Sequence, residues 1–189
     1  IHPLRLAGIF MRVLLIALSF FAATASANEK PPVPYYDWGG CPFEGCTYQQ
    51  WTTKQEVVAR AEPSLTAKTL FKVPRGQNVE GLTGVVIVEK PGIVKVLKPV
   101  TLGYNDKGEG PLLKLKAGEQ LYTLASLGEG AMQFWYKGKT YTLDYDYARN
   151  QIKYGATPKS QWWVKIRDKQ GREGWVAEAK NFAHMDRFE

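Results

Sequence analysis

The chain has 189 residues, 25 Lys and Arg against 18 Asp and Glu for a net charge of +7, and 13% aromatic residues. A mild basic excess favours anionic surfaces such as lipid head groups or wall polymers. The cations are nevertheless scattered among acids, as in Lys165-Ile166-Arg167-Asp168-Lys169, which argues against nucleic acid as a partner.

Met11 and Arg12 open an apolar run, residues 13–23, that leads into Ala25-Ser26-Ala27. One basic residue, an apolar core shorter than the roughly 18 residues of a membrane span, and a small-residue ending are the grammar of a secretory signal. Cleavage is expected after Ala27, and Ile1 to Phe10, upstream of Met11, say nothing about the fold. The competing reading, a buried apolar helix of the mature domain, leaves the Ala-x-Ala ending unexplained. No cysteine follows the cleavage point directly, the first being Cys41, so neither a lipid anchor nor another stable membrane anchor is expected after cleavage. The 162 residues beyond Ala27 suffice for one ordinary domain or two very small ones, placed in the periplasm or secreted.

Residues 28–51 read as an extended leader. Its first part, 28–34, is polar and proline-rich. Tyr35-Tyr36-Asp37-Trp38-Gly39-Gly40 then runs into Cys41-Pro42-Phe43-Glu44-Gly45-Cys46, where proline and glycine favour a turn able to bring the two cysteines within disulfide reach. Outside the cytoplasm a Cys41–Cys46 bridge is the default. A metal site needs more ligands than two thiolates, and a catalytic thiol needs a histidine, of which the mature chain has only His184.

Beyond Trp51 short β-branched or aromatic runs alternate with glycine and proline, and no long stretch shows helical spacing. Strands are expected at 56–60, 69–73, 85–89, 93–97, 112–115, 120–124, 133–136, 140–143, 162–166 and 174–177. Turns are expected at Pro74-Arg75-Gly76, Pro91-Gly92, 105–108, Lys116-Ala117-Gly118, Lys137-Gly138-Lys139 and Lys169-Gln170-Gly171. Many short strands at close spacing mean a small barrel or sandwich. Val73-Pro74-Arg75-Gly76-Gln77-Asn78-Val79 and Leu115-Lys116-Ala117-Gly118-Glu119-Gln120-Leu121 share an apolar residue, a turn ending in glycine and a second apolar residue three places on, a faint repeat that suggests two units.

Three segments resemble the bacterial SH3-like (SH3b) domains. Val57-Val58-Ala59-Arg60-Ala61-Glu62-Pro63-Ser64 is similar to the family's opening strand and loop, and residues 71–79 to its second strand and turn. Residues 162–176, a strand followed by Asp168-x-x-Gly171-x-x-Gly174-Trp175-Val176, resemble its closing hairpin. The resemblance implies an all-β fold of small SH3-like barrels, two in tandem: a first over 52–104, a second over 105–180 with a long insertion near 128–160, and a tail at 181–189. The residues give the hairpin an independent reason: Asp168 to Gly171 can turn, Gly174 permits close approach to a neighbouring strand, and Trp175 and Val176 straddle a sheet.

Trp38, Trp51, Trp135, Tyr136, Tyr145, Tyr147, Trp162, Trp163 and Trp175 exceed what a small barrel needs inside, so some are expected on the surface, where aromatics stack on sugars or grip extended peptides. Trp162 and Trp163 must face opposite ways on a strand, with Trp163 taken for the core. The candidate ligand-binding residues are Trp162, Tyr145, Tyr147, Trp135 and Tyr136. Asp144-Tyr145-Asp146-Tyr147 would put two carboxylates on one strand face, compatible with a weak calcium or sugar site and equally with a solvated edge strand; the glycine and distal glutamate of a calcium loop are missing. No cofactor or metal site is expected, since zinc spacing and a phosphate loop are missing from the sequence.

From the resemblance follows the expectation of a non-enzymatic, exported SH3-like module that recognises a cell-wall peptide or glycan, with peptidoglycan as partner, or an envelope protein. An envelope assembly protein acting only through protein contacts is the first alternative. A wall hydrolase using carboxylates such as Glu44, Asp144 or Asp146 is the second.

Overall fold

The computed structural model describes residues 30–102, 113–128, 130–144, 150–177 and 179–186. The signal segment, the turn expected at 105–108, the Asp144 side chain, and Tyr145, Asp146 and Tyr147 lie outside the described residues.

The fold is all-β: fifteen strands and one 3-10 turn, Ala179–Asn181, make up the described elements. Strands β1 (Tyr35–Trp38), β2 (Gln50–Thr53), β3 (Val57–Arg60), β4 (Thr69–Val73) and β5 (Asn78–Lys90) open the chain. Then come β6 (Val94–Val96), β7 (Val100–Leu102), β8 (Leu113–Leu115), β9 (Gln120–Gly128), β10 (Ala131–Tyr136), β11 (Lys139–Asp144) and β12 (Ile152–Tyr154). Strands β13 (Lys159–Arg167), β14 (Glu173–Ala177) and β15 (Phe182–Ala183) close it.

The main sheet runs β15-β2-β5-β13-β14-β3-β4, with β1 added to β5 beyond β2, and curls into a half-barrel. Its inner face is dictated by alternation: Val57 and Ala59, Phe71 and Val73, Trp162, Val164 and Ile166 occupy every second position and meet in one core with Trp51 and Phe182. Gly174 is required where β14 crosses β3, because a Cβ there would lie 2.8 Å from that of Ala59. The hairpin turn after β13 is built on Asp168, whose carboxylate accepts the N–H groups of Gln170 and Arg172, each at 2.9 Å, and the Arg172 guanidinium.

Strands β5 and β13 pair antiparallel along nearly their whole length, from Lys90 opposite Lys159 to Glu80 opposite Arg167. The chain therefore leaves the main sheet after residue 90 and re-enters it directly opposite at 159. Residues between supply a second sheet, β11-β10-β9-β6-β12, and the β7-β8 pair. Sheet membership thus differs from the division expected at 104/105: the closing hairpin of β13 and β14 belongs with β3, β4 and β5, and the excursion spans 91–158 instead of 128–160. The physical reason is that the β-branched faces of β5 and β13 complete each other's core, a long-range match with no local signature.

Two segments expected at the margins are also part of the fold. In the leader, β1 pairs with β5, and Trp51 on β2 is fully buried. In the tail, Phe182 is fully buried beside Trp51, their rings 5.3 Å apart, and β15 pairs with β2. The Cys41–Cys46 bridge is formed, with Cα atoms 5.7 Å apart, which suits an oxidising compartment.

A second core gathers Val94, Val96, Leu121, Phe134, Leu143 and Ile152. Strands β9 and β10 serve both cores. The ladder between them skips twice, at Ala131/Met132 and at Met132/Phe134. These bulges turn β9 so that Leu121 faces the second core while Leu124 and Ala125 enter the first.

Candidate functional site

The outer face of the main sheet carries the aromatic side chains that solvent reaches. On β1 alternation sends Tyr35 and Asp37 inward and Tyr36 and Trp38 outward. The Tyr36 and Trp38 rings stack at 5.8 Å with only 10° between planes, and Trp38 meets Trp175 of β14 edge-on at 6.0 Å. Tyr36 is 44% and Trp38 62% exposed, so this three-ring strip keeps much of its apolar area in water, about the costliest place for it unless something covers it.

The inward side of β1 fixes the strip. Tyr35 packs edge-on against Trp135 of β10 at 6.1 Å, and the amide of Gln133 donates to the Asp37 carboxylate at 3.4 Å. Burial, with the nearby Asp37 charge, raises the Tyr35 pKa. Behind β1 the carbonyl of Gly40 accepts two hydrogen bonds, from the Tyr48 hydroxyl at 2.6 Å and from Trp162 Nε1 at 2.9 Å. Gly84 leaves room for that junction: a Cβ would run into the Tyr48 hydroxyl and lie 2.5 Å from Trp162 Nε1. Burial pushes the Tyr48 phenol up to about 12.

Beside Trp175 stands Lys165, its register partner on β13, paired with Glu173 at 2.7 Å; Arg167 joins Glu173 and Glu80. The outer face therefore carries an ion network beside the aromatic strip. In that network the hydrogen bond from Lys165, then that from Arg167, lowers the Glu173 pKa.

The sequence-derived candidates fall elsewhere. Trp162, expected at the surface, is buried; it packs edge-on against Phe43 at 5.7 Å and Trp51 at 6.3 Å. Trp163, taken for the core, is buried on the opposite face, the one shared with Trp38, while Trp162 joins the core. Both neighbours can be buried because β13 lies inside the sheet, between β5 and β14, and both of its faces are covered at this point. Trp135 is partly buried and positions β1. Tyr136 is buried, its hydroxyl donating to Glu119 at 2.8 Å. Glu119 also accepts the Lys116 N–H at 2.8 Å and the Lys137 ammonium at 3.1 Å; the first of these, then the Tyr136 bond, hold its carboxyl down at about 2. That constellation is a satisfied turn anchor. Tyr145 and Tyr147 lie outside the described residues. Of the carboxylates considered for hydrolysis, Glu44 is exposed in the disulfide loop, while Asp146 and the Asp144 side chain lie outside the described residues. Among the described residues no three His, Cys, Asp or Glu side chains converge on a metal-sized site.

Sequence reasoning counted Trp38 and Trp175 among the surplus aromatics but did not bring them together. The available signal was the Tyr36-x-Trp38 spacing, which puts both rings on one face once residues 35–38 are taken as a strand. Comparison with family models, curated proteins and solved structures finds no match to this chain.

Proposed function

We propose that this chain is a non-enzymatic binding module of the cell envelope that holds a wall glycan or peptide on the Tyr36–Trp38–Trp175 strip. The observation that carries the reading is that strip itself: three rings in sequence, one of them 62% exposed, braced from behind by Trp135 and by the Gly40 junction. Aromatic faces held rigid lose little side-chain freedom when a sugar ring or an extended peptide lies on them. In this reading β3, β4, β5, β13 and β14 form a single SH3-like unit into which residues 91–158 are inserted. Export is supported by the signal-like residues 11–27 and by the Cys41–Cys46 bridge, which also leaves no thiol for nucleophilic catalysis.

The test is retention on purified peptidoglycan sacculi at low and moderate salt. Retention that survives moderate salt, as stacking does and charge attraction does not, and that Trp38→Ala abolishes, is expected. Absence of retention at both salts refutes the wall-binding reading. A second reading, a protein partner, is favoured by one observation: β1 pairs only with β5 among the described strands, so its other edge can accept a partner strand. Capture of an envelope protein that is lost in Tyr36→Pro, where the N–H faces the free edge, but kept in Tyr36→Ala, with sacculi not retained, would support it.

A further inference from the structure

The bulged stretch of β9 and β10 and the segment that leads from β12 to β13 leave a cavity of about 400 Å³. A smaller pocket, of about 220 Å³, has the more specific chemistry. It lies between two turns of the main sheet, the one joining β4 to β5 and the one joining β13 to β14, and is walled by Lys72, Gln77, Asn78, Asp168, Lys169 and Arg172 among others. Residues 69–80 and 159–177, which carry both turns, are described throughout.

The wall offers donors and keeps its acceptors occupied. Its one carboxylate, that of Asp168, is 4% exposed and has both oxygens taken: Oδ1 accepts the N–H groups of Gln170 and Arg172, and Oδ2 accepts Arg172 Nε at 2.7 Å and Nη2 at 2.6 Å. The main-chain carbonyls of Pro74 and Gln77 accept from Thr53, that of Asp168 accepts the Gly171 N–H, and that of Arg172 accepts the Asp168 N–H. The side-chain amide oxygens are engaged as well, Gln77 Oε1 by the Lys169 ammonium at 3.4 Å and Asn78 Oδ1 by the Thr52 hydroxyl at 3.2 Å. Left over are Arg172 Nη1, the remaining N–H groups of Lys169, and the amide N–H groups of Gln77 and Asn78. Glu56 neutralises Lys72 at 2.8 Å, whereas no carboxylate among the described residues pairs with Lys169.

Spare donors gathered at one concavity around an unneutralised ammonium are complementary to an oxyanion. The Arg172 guanidinium is fixed in advance, lying over the Phe71 ring at 4.5 Å with Asp168 on its Nε edge, so it loses little freedom on binding. We propose that the turn pocket binds the phosphate group of a small phosphorylated ligand, Lys169 supplying the charge while Arg172 Nη1 and the Gln77 and Asn78 amides donate to the phosphate oxygens. A carboxylate is met best by a guanidinium fork, and the Nε–Nη2 edge of Arg172 is already filled by Asp168. Its two oxygens would also leave donors unused, whereas a phosphate monoester brings three strong acceptor oxygens. The volume, below the roughly 300 Å³ at which drug-sized sites begin, suits a phosphate with a few further atoms. The site shares no residue with the Tyr36–Trp38–Trp175 strip and does not depend on it.

The experiment is an NMR titration of the protein, disulfide intact, with inorganic phosphate, glycerol phosphate and acetate at neutral pH and constant ionic strength. Saturable shifts of the Gln77 and Asn78 side-chain amides and of Arg172 Nε–H are expected with both phosphates, at an affinity at least about fivefold above that for acetate. The two phosphates separate the sources: tighter glycerol phosphate assigns the pocket to a phosphoester, equal affinity to free phosphate. Lys169→Gln, at an exposed position, should weaken binding about fivefold, the worth of one solvent-screened charge contact. Asn78→Asp keeps an acceptor for Thr52 but replaces the spare amide with a carboxylate oxygen, so it should abolish the shifts while the rest of the spectrum stays native. Lys98→Gln, which removes the same charge outside the pocket, should leave binding unchanged. The proposal is overturned by the absence of saturable shifts at these groups, by equal affinity for acetate, by undiminished binding in Asn78→Asp, or by equal weakening in Lys169→Gln and Lys98→Gln.

Discussion

Thr123→Val should make the ligand-free protein more stable. Thr123 lies on β9 opposite Phe134, 2% exposed, with its main chain paired to Gly92 and its hydroxyl unpaired. Valine keeps the shape and the β-branch that suits a strand, and removes only the polar atom. Burying an unsatisfied hydroxyl costs about 1–3 kcal/mol, and returning an apolar methyl to the same space recovers most of that. The expected gain is about 1–2 kcal/mol, equivalent at about 2–4 °C per kcal/mol to a Tm increase of roughly 2–8 °C for a domain of this size. Urea unfolding with the disulfide intact measures it, read as a higher midpoint at unchanged slope. Thr123→Ser supplies the converse: it keeps the hydroxyl and loses a buried methyl group, so stability should fall by about 1 kcal/mol. A Thr123→Val protein equal to or less stable than the parent refutes the reasoning, because the hydroxyl would then have a partner in the ligand-free state.

Trp38→Ala, at an exposed position, should change unfolding free energy by no more than about 0.5 kcal/mol while abolishing sacculus retention; a large loss of stability would reassign Trp38 to folding. Glu119 is held at about 2, below its ordinary 4.5, chiefly by the Lys116 N–H and then by the Tyr136 hydroxyl. A depressed carboxylate contributes stability that is complete above its unfolded value and disappears as pH falls towards the folded one, so midpoints measured between pH 5 and pH 2 should fall less steeply in Glu119→Gln; at neutral pH that variant should be about 1–2 kcal/mol less stable. Gly84→Ala forces a Cβ against the Tyr48 hydroxyl and Trp162 Nε1, and should cost about 1–3 kcal/mol. Spectrophotometric titration should then show the Tyr48 phenol falling from about 12 towards its ordinary 10.

Local pattern made the strands legible where one face is buried and the other wet. Leu113-Lys114-Leu115 alternates strictly in sequence and in burial, and the β-branched Val57-Val58 start a segment whose burial alternates; both segments are strands. Strands that depend on distant partners were not legible. In β2 the buried polar residue Thr53 is tolerated because its hydroxyl is held by the carbonyls of Pro74 and Gln77, contacts that no window of sequence contains. In β1, Pro34 and Gly39-Gly40 frame four residues as if they were linker, which hid the face shared by Tyr36 and Trp38. Trp162 misled for a related reason: alternation assigns it a face opposite Trp163 but cannot say that both faces of β13 are covered. An unpaired hydroxyl such as that of Thr123 leaves no trace in sequence, since threonine in a strand is ordinary.

The placement of the excursion explains why the strip and the cavity occur in one molecule. Because Lys90 and Lys159 are register partners, residues 91–158 can leave and return without disturbing the main ladder. Their own sheet could not stand apart, however, since β9 gives Leu124 and Ala125 to the first core and β10 sends Trp135 against Tyr35. Serving two cores with two strands requires a change of facing direction partway along, and the bulges at Ala131/Met132 and Met132/Phe134 supply it. The same bulges open the β9–β10 surface beside Thr123, which leaves the cavity, while the Trp135 contact they permit holds β1 and hence Tyr36 and Trp38 in place. A change that straightens the β9–β10 ladder should therefore disturb the strip and the cavity at once, whereas Trp38→Ala should affect the strip alone.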